Sequence, residues 1–282
     1  MDHSEHLDHP ARVGLFRAEA AAFEKAVRRA VDPGRRPPMV PSCPGWSVSD
    51  LIGHLGGVQR FLTHVLRERL AEPPADPTDP SLYDLPVDPA DPLAMADWPV
   101  PGRTPTTAPV PAPLLDWSAD AARNLADTLE GLGPHVPVWS WSPERTSGFW
   151  LRMQTIEQAV HRWDAEAVTA PPAPFDPDLA ADAVAQTFEV MAPARRGWTQ
   201  APPGTGERYR FRRTDGPHLW TVEFRGDEVR STPADDGPVP LELAGTASDL
   251  MLFLWQRRPA DRLRLTGDPT LADHWFTLVP PV

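Results

Sequence analysis

At Gly197 the hydrophobic rhythm of the chain changes, and no other feature constrains the fold as much. Upstream, apolar residues recur at i, i+3, i+4 and i+7, which puts them on one stripe of an α-helix. Five such stretches are read: Ala11 to about Val31, Ser47 to about Arg69, Leu114 to about Leu132, Thr146 to Val168, and Asp176 to about Ala192. Their ends carry start and stop residues, among them Asp32-Pro33-Gly34, Ser47 with Asp50 three residues on, and Gly133-Pro134. Downstream, apolar and polar residues alternate, as in Leu219-Trp220-Thr221-Val222-Glu223-Phe224. That period predicts strands at 208–213, 218–225, 228–232 and 241–244, with hairpin turns at Asp215-Gly216 and Gly226-Asp227. A helix at 247–257, a short strand at 262–265 and a last helix at 270–278 complete the pattern. The chain therefore reads as an α + α/β two-domain protein. A helical bundle spans 1–198, a Pro- and Gly-rich linker 199–206, and a small α+β domain 207–282.

Within the bundle, residues 72–113 are dominated by Pro and Asp and predict a long irregular insertion. A loop of that length in a compact domain is either functional or disordered. Leu82, Tyr83, Leu85, Leu93 and Trp98 supply apolar anchors, so the insertion is expected to lie over the surface as a wall of a substrate site. The net charge of −12 argues against a nucleic-acid surface. No apolar stretch is long enough to cross a bilayer. The first six residues, Met1-Asp2-His3-Ser4-Glu5-His6, lack the basic and apolar regions of a signal peptide. Cys43 is the single cysteine, which precludes an intrachain disulfide and fits a reducing compartment. The expectation is a cytoplasmic protein.

The chemistry concentrates on two helices. On the fourth, Glu157, His161 and Asp164 share the apolar stripe of Trp150, Met153, Ile156 and Val160. A bare charge turned toward a core costs several kcal/mol unless it is bonded or neutralised. On the second helix, His54 lies on the stripe of Leu51, Leu55, Val58 and Leu62. Two facing helices would bring His54, Glu157 and His161 together as N, O and N donors to a divalent metal, with a coordination position open. That is the pattern of a reactive site, whereas four protein ligands close a structural one. The competing reading is a polar core network, with Glu157 on an arginine and His161 on a carbonyl. Asp164 either orients a ligand imidazole or pairs with Arg162 or Arg152. Cys43 reads as a structural residue ahead of a nucleophile, because no histidine is near it in sequence. The pair Trp139 and Trp141, with Trp150 and Trp163, reads mostly as packing, and His3, His6 and His9 as a weak metal tract.

Cys43-Pro44-Gly45-Trp46-Ser47-Val48-Ser49-Asp50-Leu51, followed by His54-Leu55, resembles the first signature of the mycothiol-dependent maleylpyruvate isomerase family. Glu157 to His161, with Arg162 and Asp164, resembles its second signature, and Gly245–Leu250 with Leu254–Pro259 is similar to the end of its C-terminal domain. Ile156 stands where the family often has His, and Gln256 where Gly is common. The resemblance implies a DinB-like four-helix bundle followed by a sterol-carrier-like domain. It implies a divalent metal, with zinc the expected ion, on His54, Glu157 and His161, and mycothiol as co-substrate. Asp164 and Arg257 become catalytic candidates. Arg257 would grip the carboxylate or sugar of the thiol, since a guanidinium forks onto carboxylate; otherwise it is a helix-end arginine. The implied activity is a thiol transferase or isomerase acting on an electrophilic small molecule, as a monomer or homodimer, with no nucleic acid and no membrane. Two alternatives stand beside it: a metal-dependent hydrolase, and a non-catalytic binding or sensor protein on the same bundle.

Overall fold

The computed structural model describes residues 7–281, so His3 and His6 lie outside the described residues. The chain divides into two compact units between Ala173 and Pro174.

The first unit contains α1 (His9–Ala30), α2 (Val48–Arg67), α3 (Leu114–Leu132) and α4 (Ser147–Glu166). Three of these helices start on a side-chain cap. Asp8 accepts from the N–H of Ala11, Ser47 and Asp50 form a reciprocal capping box, and Thr146 accepts from Phe149. Around the bundle α1 packs on α4 and α3, and α2 on α3 and α4. Phe16, Leu51, Ile52, Leu55, Leu125, Ile156 and Val160 fill its centre, fully buried. Each such side chain contributes about 1.5–3 kcal/mol of transfer free energy. Helix α4 is buried round most of its circumference, so its polar residues must find partners inside. Thr155 donates to the Leu151 carbonyl, Gln59 donates to Gln158, and Arg162 donates to Glu19 and Glu166 at 2.7 and 2.9 Å.

Apart from a 3₁₀ turn at Pro80–Leu82, the insertion has neither helix nor strand. Side chains anchor it instead. Trp98 is buried edge-on to Trp117 of α3, with centroids 5.3 Å apart. The Trp117 indole donates to the carbonyls of Tyr83 and Asp84 at 3.1 and 3.0 Å. Gly56 of α2 faces the Trp117 ring at a distance that leaves no room for a Cβ.

In the second unit, α5 (Pro177–Gln186) runs through a π turn at Thr187–Met191 into α6 (Ala192–Thr199). Five strands follow: β1 (Gly204–Arg213), β2 (Leu219–Gly226), β3 (Glu228–Pro233), β4 (Leu241–Gly245) and β5 (Arg264–Gly267). They form one sheet in the order β3-β2-β1-β4-β5, in which only the β1–β4 pair is parallel. Helices α7 (Ala247–Leu254) and α8 (Leu271–Leu278) complete it. Tyr209 and Phe211 of β1 meet Trp275 of α8 edge-on at 5.2 and 5.0 Å. The division falls ahead of the linker expected at 199–206. The stretch expected as a fifth bundle helix packs on α7, and its continuation α6 on β3. A helical period does not say which core a helix serves. The break comes at Pro171-Pro172-Ala173-Pro174, where proline removes backbone donors and fixes φ. Among the described residues no helix is long and apolar enough to cross a membrane.

Candidate metal centre

The site is built where α2 faces α4. His54 projects from α2, while Glu157 and His161, one turn apart, project from α4. His54 Nε2 lies 3.1 Å from Glu157 Oε1. The imidazoles of His54 and His161 stand 5.1 Å apart at 79° to each other. One ligand atom from each of the three residues lies within 4.8 Å of the other two. Donors about 2 Å from a tetrahedral ion sit about 3.3 Å apart, so the His54–Glu157 pair already stands at ligand spacing. Two imidazoles and a carboxylate are also a donor set that a zinc-type ion accepts. The residues therefore fit a metal. The opening is on the His54 side, whose side chain is 32% exposed against 9% for His161.

Behind the cluster, Asp164 is completely buried and accepts from His161 Nδ1 at 2.9 Å, from Ser42 Oγ at 2.5 Å and from Cys43 Sγ at 3.3 Å. The bond to Nδ1 places the proton there and leaves Nε2 as the nitrogen with a free lone pair. Burial pushes the His161 imidazolium toward losing its proton. The Asp164 bond opposes this incompletely and the charge of His54 adds to it, so the ring is held neutral, the form that ligates. Burial pushes the Glu157 carboxyl upward, but the bond to and charge of His54, with His161 and Gln154, outweigh it and hold the group ionised below its ordinary value. The core-network alternative required Glu157 on an arginine and His161 on a carbonyl. Instead Glu157 bonds to His54 and Gln154, and His161 to Asp164.

Cys43 stands close to a histidine in space though not in sequence. Its sulfur, His161 and Asp164 form a second group within ligand distance. Those atoms are already hydrogen-bonded to one another through Asp164, and Cys43 is buried in the core cluster with Leu51 and Ile52. Trp46 was not among the expected site residues. Its ring lies against His161, nearly parallel at 19° with centroids 6.2 Å apart, and edge-on to His54 at 5.0 Å. Ser42 and Gln154 were missed as well. Gln154 sits three residues before Glu157 on the same helix face, a spacing that would have flagged it. Trp150 donates to the Trp139 carbonyl and packs on that ring, as a packing residue does. Arg257 belongs to the second unit, where it donates to the Trp255 carbonyl at 2.9 Å.

Fold and site together define a class: a four-helix bundle with a His-Glu-His cluster between two of its helices, followed by a small mixed sheet with helices. The family described as "Mycothiol maleylpyruvate isomerase N-terminal domain" matches residues 16–166, and the description "MDMPI C-terminal domain" matches residues 178–274. The chain belongs to the mycothiol maleylpyruvate isomerase family. The crystal structure of the mycothiol-dependent maleylpyruvate isomerase is similar over 93% of this chain and 95% of that chain, with a TM-score of 0.57 and 16% sequence identity. The structure of a histidine-to-alanine mutant of that enzyme gives the same values. At this identity the likeness shows the shared fold. No curated protein matches the sequence.

Proposed function

We propose that the chain is a metal-dependent enzyme with a small thiol, mycothiol, as co-substrate, acting on an electrophilic small molecule by thiol-assisted isomerisation or by S-transfer. The observation that carries the reading is the convergence of His54, Glu157 and His161, with His161 oriented by a buried carboxylate. These three are the proposed ligands and zinc the proposed ion. Bound there, such an ion would lower the pKa of a thiol until its sulfur is anionic near neutral pH.

The protein's own groups do the rest. Asp164 keeps the proton on His161 Nδ1. Glu157 stays ionised and offsets positive charge in the site. Trp46 lies nearly parallel to the ring of His161 and gives that side of the site an aromatic wall. The thiolate sulfur adds to the electrophilic carbon, forming a C–S bond and moving an electron pair onto the conjugated acceptor. In a transfer, a proton completes the thioether product. In an isomerisation, the adduct turns about the carbon–carbon bond that addition made single; the electron pair then returns, the C–S bond breaks, and the thiolate leaves. Membership of an isomerase family supports the second course. Arg257 is proposed to grip an anionic or sugar group of the thiol, on guanidinium chemistry alone. A cytoplasmic monomer or homodimer completes the proposal.

Elemental analysis of the purified chain should find about one divalent metal per chain, removable by a chelator. Mass spectrometry of reactions with mycothiol and a panel of electrophiles should show product only with both thiol and metal present. Turnover that needs metal but no thiol would replace this reading with the hydrolase. Full metal content in His54→Ala would overturn the ligand set.

A further inference from the structure

Helix α2 presents Asp50, Gly53, His54 and Gly57 at i, i+3, i+4 and i+7, on one stripe. Three of these four positions are met by the Pro-rich insertion. The Asp50 carboxylate is buried and accepts from Thr106 twice over, from the backbone N–H at 3.0 Å and from Oγ1 at 2.6 Å. The same carboxylate accepts from Ser47 N–H and Oγ at 2.8 Å, so one side chain both caps α2 and holds the insertion. Pro99 is buried against Gly53, where an added Cβ would lie 2.5 Å from the Pro99 Cγ. A turn further on, the Tyr83 ring reaches to 4.0 Å from where a Cβ of Gly57 would stand. The fourth position is His54. The insertion thus covers positions of α2 that flank the half-buried His54 on its own stripe, and the group it packs against Gly53, the Pro99 ring, is apolar and uncharged.

We propose that residues 99–106 form the wall that selects the electrophile by size, with Asp50 as the positioning residue that pins it beside His54. The identity of the second substrate as an electrophile rests on the functional reading above; the wall itself rests on Asp50, Gly53, Pro99 and Thr106.

Two variants test it, and neither touches a proposed ligand. Thr106→Val removes the hydroxyl bond to Asp50 while leaving the α2 cap intact, and Pro99→Gly removes the ring from the wall. Metal content should equal wild type in both. For a compact acceptor kcat should be unchanged, whereas kcat/KM for a bulky acceptor should rise through KM by roughly tenfold, about what one methylene of pocket space is worth. Trypsin should cut Thr106→Val faster at the exposed Arg103. Diethyl pyrocarbonate should label His54 faster in both variants, read by peptide mass spectrometry. An unchanged ratio of bulky to compact acceptor, together with unchanged labelling of His54, overturns the wall. If the chain shows no thiol-dependent turnover with any acceptor, the functional reading fails and the labelling rate of His54 alone decides the wall.

Discussion

Replacing Asp164 by Asn should separate metal affinity from fold stability. The carboxylate accepts from His161, Ser42 and Cys43 at a position with no solvent exposure. Asparagine has the same shape, and with its oxygen toward His161 its amide faces a serine hydroxyl that can turn to accept. The contacts survive; the charge does not. Each of these three bonds falls from about 1.5–3 kcal/mol for a charged acceptor toward about 0.5–1.5 for a neutral one, a loss of about 3 kcal/mol from the three named. Removing a buried charge relieves a desolvation cost of several kcal/mol, which offsets most of that loss, so the melting temperature of the metal-free chain should move little. Metal binding has no such offset. His161 loses the anionic partner that fixes its tautomer and raises its basicity, and affinity should fall about 10- to 100-fold, or about 1.4–2.8 kcal/mol. Competition against a chromogenic chelator measures the affinity, and a thermal melt after chelation measures the fold. Wild-type affinity in Asp164→Asn would refute the argument that this carboxylate tunes His161. Ser42→Ala, which removes one bond and leaves the charge, should bind metal nearly as wild type does.

Two glycines on different helices should respond to alanine with opposite signs. Gly14 of α1 is exposed with open space where a Cβ would go, so Gly14→Ala should stabilise by about 0.5–1 kcal/mol from propensity alone. Gly56 faces the Trp117 ring, and Gly56→Ala should destabilise by about 1–3 kcal/mol despite the same propensity gain; denaturant midpoints of the two variants check the sign. In the sheet, Glu242 of β4 accepts from Arg212 through two nitrogens at 3.0 Å, and also from Arg210. The Arg212 bond leads in holding its folded pKa below the ordinary 4.5. A depressed carboxylate contributes stability that is present above the unfolded value and lost as pH falls through the folded one. Glu242→Gln should therefore be less stable than wild type at neutral pH, and the gap should close below pH 4.5. A gap that stays constant into the acid range would show that the charge is not its source.

Much of the fold could be read because local rules and packing agreed. Leu114–Leu132 was expected and found at the same bounds, with Gly133 at φ 71 closing the helix as its position suggested. Both hairpin turns of the sheet also stand where Asp215-Gly216 and Gly226-Asp227 placed them. What could not be read was allegiance. The stretch from Asp176 has a good amphipathic period, but only tertiary contact shows that it packs on α7 of the second unit. Backbone conformation was also hidden. Gln256 has a φ of 55, in the left-handed region where a side chain costs roughly 1–3 kcal/mol. Such a backbone favours Gly, and no local period in the sequence announces it.

Two signatures that look separate in sequence are one device in the fold. The first contributes more than His54. Cys43 and its neighbour Ser42, just ahead of the signature, donate to Asp164, and Trp46 lies against His161, so the loop ahead of α2 supports residues that belong to the second. The second answers in kind, since Glu157 holds His54. Period and spacing could find His54, Glu157, His161 and Asp164, because each repeats on a helix stripe. They could not find Ser42 or Trp46, because a loop has no period. Those two are placed by the backbone of Val40 to Ser47, where Val40 accepts from Cys43 N–H and donates to the Trp46 carbonyl, turning the chain back on itself. A substitution that opens this turn, though it removes no ligand, should therefore loosen His161 from both sides: from Asp164, through Ser42 and Cys43, and from the side where Trp46 lies.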